Sequence, residues 1–171
     1  MLGNALPARC QRQKRPFNNE YSRRWDGRVT TRNRPVRERR AMLAGMKPAP
    51  CAGSYVFSSS TDQTVIAAAK ERALAVFHEQ EGVSFVLAKD HAVELGFDAS
   101  MPLSCIVLGV YSALDGVGLT AGVAIALAEQ GIPCNMIAAY HHDNVFVPEE
   151  IKELALSVLE ALQEASRSSE D

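Results

Sequence analysis

Two short stretches carry residue types from which a binding site could be built. The first is Asp115-Gly116-Val117-Gly118-Leu119, a turn that leads from an apolar run into a helical pattern. Free backbone N–H groups and the helix dipole at such a junction favour an anion, and glycines let a ligand approach the backbone closely. The second is the polar loop His141-His142-Asp143, in which the Asp143 carboxylate could accept hydrogen bonds from a cationic group. The two stretches therefore offer partners for opposite charges.

Each stretch also has an ordinary structural interpretation. Gly116 and Gly118 are equally typical of a turn that needs positive φ and of close packing between a helix and a sheet. Asp143 also fits a hairpin in which its carboxylate caps its own loop. A metal site at His141 and His142 is disfavoured, because adjacent side chains on an extended segment point to opposite faces. We predict no metal and no cofactor.

Catalytic motifs are not found in the chain. It contains neither G-x-S-x-G nor G-x-x-x-x-G-K-[ST], and the turn at residues 115–118 lacks the third glycine of a dinucleotide-binding fingerprint. Cys105 falls inside an apolar strand pattern without a neighbouring base. We therefore predict that the protein is not an enzyme.

The charge of the chain is divided between a basic N-terminus and an acidic remainder. The 171 residues have a net charge of -2, but residues 1–41 hold twelve Lys and Arg against three acids, which is +9 and leaves -11 for residues 42–171. Residues 1–41 also show no sustained apolar period, so we predict a disordered tail whose deletion leaves thermal unfolding unchanged. Other interpretations are a transit peptide, a nucleic-acid arm, which is disfavoured, and a translated leader before a start at Met42 or Met46.

The remaining composition points to an ordinary water-soluble chain. No stretch approaches the roughly 18 to 20 consecutive apolar residues that cross a bilayer, and the N-terminus has no apolar core of a signal peptide. We predict a cytoplasmic protein without a membrane partner. Its four cysteines lie far apart with no C-x-x-C pair, so neither a zinc knuckle nor a disulfide framework is expected.

Strands and helices are predicted to alternate from residue 54 onward. The first half, residues 42–99, has strand patterns at 54–59 and 83–88, a helical stripe after Asp62 and a short helix ending at Gly96. That stripe consists of Ile66, Ala69, Ala73 and Phe77. The second half, residues 100–171, has strand patterns at 105–111, 135–140 and 144–147, a helix after the glycine turn, and a final helix after Pro148.

The second half resembles a known family. Residues 112–148, SALDGVGLTAGVAIALAEQGIPCNMIAAYHHDNVFVP, are similar to the second half of stand-alone tandem ACT-domain proteins. The segments GSYVF and LAVFHEQEGVSFVL resemble the companion half. The resemblance implies an α+β fold of two ferredoxin-like (βαββαβ) sheets with helices on one face. Because each half lacks strands for a four-stranded sheet, we expect the halves to exchange strands, or Tyr55 to Ser58 to complete the other sheet.

The same resemblance implies a ligand and a site. Members of the wider ACT group are effector sites of amino-acid metabolic enzymes, and related arrangements sense arginine in the eukaryotic cytosol. We therefore expect a non-enzymatic sensor protein whose small-molecule ligand is an amino acid. We expect this protein to form a homo-oligomer or to regulate an enzyme. The alternative is an oligomerisation or protein-interaction module without a metabolite. The implied contacts are the turn at Asp115, Gly116, Val117, Gly118 and Leu119 for the carboxylate, Asp143 for the ammonium, and Ala139 and Tyr140 as a wall.

Overall fold

A computed structural model describes residues 34–168 of the chain. Its strands are β1 (Pro48–Pro50), β2 (Tyr55–Ser60), β3 (Ala75–His78), β4 (Val83–Ala88), β5 (Leu103–Leu108), β6 (Asn135–Ala138) and β7 (Asp143–Pro148). Its helices are α1 (Arg39–Ala44), α2 (Gln63–Lys70), α3 (Lys89–Glu94), α4 (Leu119–Glu129) and α5 (Lys152–Ser168), the last preceded by a 3-10 turn at Glu149–Ile151. The fold is the predicted mixture of sheet and helices.

All seven strands join one antiparallel sheet, in which the two small sheets expected from the sequence are continuous with each other. The order is β3-β4-β2-β5-β7-β6, and β1 pairs with β5. β2 pairs with β4 along its whole length, but it meets β5 at a single pair, Tyr55 opposite Leu103. The two halves are therefore joined by a narrow seam at the beginning of β5.

The C-terminal half takes its fourth strand from the N-terminal side of the chain. β1 lies beside the end of β5, where Pro48 faces Leu108 and Pro50 faces Ile106. β2, in contrast, completes its own half with β3 and β4. Two prolines suit β1 because proline has no N–H to donate and is tolerated in short edge strands. The expected strand exchange is thus made by β1, a segment that sequence analysis left outside any strand.

Helices α1, α4 and α5 cover one face of the C-terminal half. Fully buried side chains of all three helices and of β5 and β7 form this core; they include Met42, Ile106, Leu108, Val123, Leu127, Val145 and Leu159. A smaller core under α2 and α3 contains Ile66, Phe85 and Leu87. The opposite face of the sheet carries a third cluster, without a helical residue, made of Val86, Leu103, Cys105, Val107 and Phe146.

The helical stripe predicted after Asp62 is correct only in its first half. Ile66 and Ala69 are buried on α2, but α2 ends at Lys70, and the segment that contains Phe77 is strand β3. β3 pairs antiparallel with β4, and Phe77 is 43% exposed. Ala73 and Phe77 therefore matched a helical period by coincidence, because pairing with β4 is a tertiary contact that a local period does not report.

Residues 34–41, which sequence analysis assigned to the disordered tail, have defined structure. Val36 forms a parallel bridge with Ser112, and its N–H donates to the Tyr111 carbonyl at 2.9 Å. The Glu38 carboxylate then caps α1 by accepting from the N–H groups of Arg40 and Ala41 at 2.8 and 2.6 Å. The long-range partners explain the order in this polar stretch. The rest of the predicted tail, residues 1–33, lies outside the described residues.

Candidate functional site

The two stretches singled out in the sequence emerge at the same end of the C-terminal half. Leu108, the last residue of β5, pairs with Asp143, the first residue of β7. The loop after β5, residues 109–118, and the hairpin loop between β6 and β7, residues 139–142, therefore leave the sheet side by side. The sequence placed Ala139 and Tyr140 at the end of a strand, and this was wrong. β6 ends at Ala138, so both residues lie in the exposed loop.

The glycine turn ends at Gly118, which has the left-handed backbone conformation and immediately precedes α4. Gly118 is the residue before the helix, has a φ of 102° and provides no side-chain cap. The first N–H groups of a helix have no intrahelical partner, so the beginning of α4 keeps its capacity to bind an anion. Val117 is 80% exposed beside it, whereas Leu119 is buried in the core.

Both glycines of the turn are also in close contact with the segment around α1. A Cβ on Gly116 would lie 2.9 Å from the Met42 Sδ, and a Cβ on Gly118 would lie 2.7 Å from the Arg39 Cδ. Arg37 Nε is 3.0 Å from Asp115 Oδ1, and both side chains are exposed. The packing interpretation of the glycines is therefore supported, and the side chain of Arg39 lies over the beginning of α4.

Asp143 is a buried carboxylate that holds the loop after β5. It is 5% exposed, and its Oδ2 accepts from the Ser112 hydroxyl at 3.1 Å. Burial raises the pKa of Asp143, while the Ser112 hydrogen bond and the nearby His142 oppose this shift. The carboxylate thus caps a neighbouring loop and not its own hairpin, and its ionised form is disfavoured by its surroundings.

Three rings form an aromatic cluster beside Asp143. The centroid of His141 lies 5.2 Å from that of Tyr111 and 4.8 Å from that of Tyr140. Burial and the neighbouring Tyr140 raise the pKa of the Tyr111 hydroxyl. Tyr140 itself is 66% exposed, so its ring lies open to solvent at the end of the hairpin. The interplanar angles of these two pairs are 53° and 85°, so the rings meet at an incline and edge to face and do not form a flat stack.

The predicted residues divide into two groups in the structure. Asp143 and Tyr140 are linked to the loop after β5 through Ser112 and Tyr111. Residues 115–119 contact the segment 37–42 instead, and no hydrogen bond or ion pair within residues 34–168 joins them directly to Asp143. Sequence analysis missed Tyr111, Ser112 and Arg39. Tyr111 and Ser112 lie three and four residues past the observed end of β5 at Leu108, and the strand predicted over residues 105–111 included Tyr111.

The two hairpin histidines face different neighbours. His142 Nδ1 lies 3.3 Å from the Val110 carbonyl oxygen, whereas His141 packs against tyrosine rings. Between residues 34 and 168, no group of three or more His, Cys, Asp or Glu side chains is placed to hold a metal ion.

None of the helices in that part of the chain has both the length and the apolar character needed to cross a membrane.

Comparisons with known proteins relate both halves to one domain type. A family model described as an ACT domain matches residues 36–104, and a second ACT-domain model matches residues 100–161. The crystal structure of VC0802 from Vibrio cholerae, described as a protein of unknown function and possible transport protein, is 37% identical. The alignment covers 72% of this chain and 94% of that one, with a TM-score of 0.64.

More distant structures share the fold. Atu0741 from Agrobacterium tumefaciens is 19% identical over 65% of this chain and 84% of its own, with a TM-score of 0.52. The ligand-free regulatory subunit of aspartate kinase from Thermus thermophilus is 14% identical over 67% of this chain and 95% of its own, with a TM-score of 0.52. No protein of curated function matches the chain in sequence.

Proposed function

The chain belongs to the ACT-domain family as a tandem pair of such domains, and from that premise we propose that it is a non-catalytic regulatory protein that binds a free amino acid. The site lies at the end of the C-terminal domain, between the beginning of α4 and the hairpin loop. The protein acts in the cytoplasm on an enzyme that responds to the bound amino acid. The aspartate kinase regulatory subunit among the structural relatives is consistent with this role.

The observation that carries the proposal is the buried carboxylate of Asp143. A carboxylate with 5% exposure and a raised pKa is costly to keep ionised, and buried charges in proteins are usually paired. The Ser112 hydroxyl, which is neutral, donates to Asp143 Oδ2 at 3.1 Å, and His142 lies near the same carboxylate. The α-ammonium group of an amino acid supplies the opposite charge and hydrogen bonds that Ser112 does not.

The other groups at this end of the sheet fit the rest of an amino acid. The N–H groups of the first turn of α4, reached across Gly116 to Leu119, bind the carboxylate. The side chain extends toward Ala139 and the exposed ring of Tyr140. Because residues 115–119 and Asp143 belong to separate contact groups, the ligand bridges them and tightens the loop after β5 against the hairpin.

Thermal unfolding in the presence of each of the twenty amino acids tests this function. A ligand at 100 times its Kd adds about 2.7 kcal/mol to the free energy of unfolding, which is a rise of roughly 5–10 °C for a chain of this size. The variant Asp143→Asn removes the charge with little change in shape and weakens binding at least about tenfold, the loss expected for an ionic hydrogen bond. The matched control is Asp90→Asn, an exposed acid on α3.

Two results decide between this function and its alternative. Equal affinities of Asp143→Asn and the wild type refute the placement of the ammonium site. No stabilisation by any amino acid favours a module that serves self-association or protein interaction. That second candidate is supported by exposed apolar residues at the sheet edge, Leu74 and Phe77 at 46% and 43% exposure, together with Phe57 at 43%. It predicts a dimer in light scattering that Phe77→Lys dissociates.

A further inference from the structure

Cys51 and Cys105 are neighbouring thiols across two strands of the sheet. β1 pairs antiparallel with β5 up to Pro50 opposite Ile106, and the next residues along the two strands are Cys51 and Cys105. The same register continues through them, because the Cys51 N–H donates to the Cys105 carbonyl at 2.8 Å. Residues directly opposite in an antiparallel pair have Cα atoms about 4.5–5.5 Å apart, inside the roughly 4.4–6.8 Å that a disulfide spans.

The side chains of the two cysteines meet on one face of the sheet. Cys105 is fully buried in the cluster that also contains Leu103 and Phe146, and Cys51 packs against that cluster from its edge. A hydrogen bond between the thiols lowers the pKa of Cys51 and raises that of Cys105. Cys51 is partly exposed. An oxidant in solution therefore meets the more acidic thiol first, and the buried thiol lies in contact behind it.

We propose that Cys51 and Cys105 form a reversible disulfide that joins β1 covalently to β5. A hydroperoxide oxidises the Cys51 thiol to a sulfenic acid and leaves as the corresponding alcohol, or as water when the oxidant is hydrogen peroxide. The Cys105 thiol then displaces the sulfenic oxygen, which departs with two protons as water, and the S–S bond forms. Two thiols have lost two electrons to the peroxide, and a dithiol reductant reverses the reaction.

The position of the bond gives it a structural consequence. β1 has only three residues, Pro48 to Pro50, so its pairing with β5 rests on few hydrogen bonds. The same segment follows α1, which packs against the glycine turn through Arg39 and Met42. A covalent link at Cys51 therefore fixes the donated strand of the C-terminal domain. Reversible disulfides of this kind occur in reducing compartments as redox-sensing elements.

The test uses the full chain with Cys134→Ser, because the tryptic peptide of residues 90–152 otherwise contains both Cys105 and Cys134. The protein is reduced, treated with hydrogen peroxide at a small molar excess, alkylated and digested with trypsin. We expect peptide 41–70, which holds Cys51, to be linked to peptide 90–152, with a combined mass two hydrogens below the sum of the two peptides. Dithiothreitol should release both peptides.

A second measurement does not depend on peptide mapping. The oxidised protein should melt roughly 5–10 °C above the reduced protein, because the bond closes a long loop. Cys51→Ser should remove both the linked peptide and this shift. The shift should persist in Cys134→Ser.

Three results would overturn the proposal. The first is oxidation of Cys51 to sulfinic acid without a link, and the second is a linked peptide that contains Cys10. The third is an equal melting temperature of the oxidised and reduced proteins.

Discussion

Removing residues 34–41 should destabilise the C-terminal domain, although these residues have a polar composition. Two chains are compared, one beginning at Arg34 behind an added methionine and the other beginning at Met42. The composition of residues 1–41 alone predicts equal stability, because it is typical of an inert tail. The contacts of Val36, Glu38 and Arg40 lead to the opposite expectation.

The size of the effect follows from those contacts. Val36 exchanges two backbone hydrogen bonds with the loop after β5, at 2.9 Å to the Tyr111 carbonyl and 2.8 Å from the Ala113 N–H, each worth about 0.5–1.5 kcal/mol. The Glu38 cap is exposed and is not counted in the sum. Arg40 Nε donates to the Ser166 carbonyl at 3.0 Å, which adds about 1 kcal/mol in a partly buried position. The exposed pair of Arg37 and Asp115 adds little.

The bonds of Val36 and Arg40 add up to roughly 2–4 kcal/mol, a fall of about 5–15 °C in melting temperature for a chain of this length. Circular dichroism at 222 nm during heating, with urea unfolding as a second measure, gives the difference between the two chains. The variant Arg37→Ala in the longer chain is the control, and it should melt within about 2 °C of its parent. Equal melting of the two truncated chains would refute the reasoning, because it would mean that the α1 segment adds no stability.

Two further variants test single features of the site. Because the folded pKa of Asp143 is raised above its unfolded value of about 3.9, its contribution to stability is greatest below that pH and is lost as the pH rises through the folded pKa. The free energy of unfolding of Asp143→Asn minus that of the wild type should therefore increase between pH 4 and pH 7. Urea unfolding at several pH values measures this difference, and a value that does not change with pH would contradict the expectation. Gly118→Ala should cost about 1–3 kcal/mol, because φ is 102° and the new methyl group displaces the Arg39 side chain. The control Gly96→Ala, also at positive φ (79°) but with nothing within 4 Å of its Cβ, separates backbone strain from the Arg39 contact, and equal losses would mean that this contact is unimportant.

Local patterns in the sequence were reliable where the neighbours of a segment are adjacent in the chain. The glycine turn, α4 and the hairpin between β6 and β7 were predicted because φ preferences, apolar spacing and polar turn residues act over a few residues. The predicted family and fold class were also confirmed. Both rested on residues 112–148, where the turn residues and the apolar spacing are local features of the sequence. The prediction failed at β3, where Phe77 took part in a helical period by coincidence.

The sequence by itself determined most elements of the C-terminal domain, though not α1, β1 or β3 elsewhere in the chain, and it determined which residues offer anion-binding backbone or a carboxylate at the end of that domain. The tertiary structure decided how those groups are used. It buried Asp143 against Ser112, placed Arg39 over Gly118, and brought β1 beside β5 so that Cys51 meets Cys105. These contacts join residues far apart in the chain, and a local pattern contains no information about which distant strand edge a segment will meet.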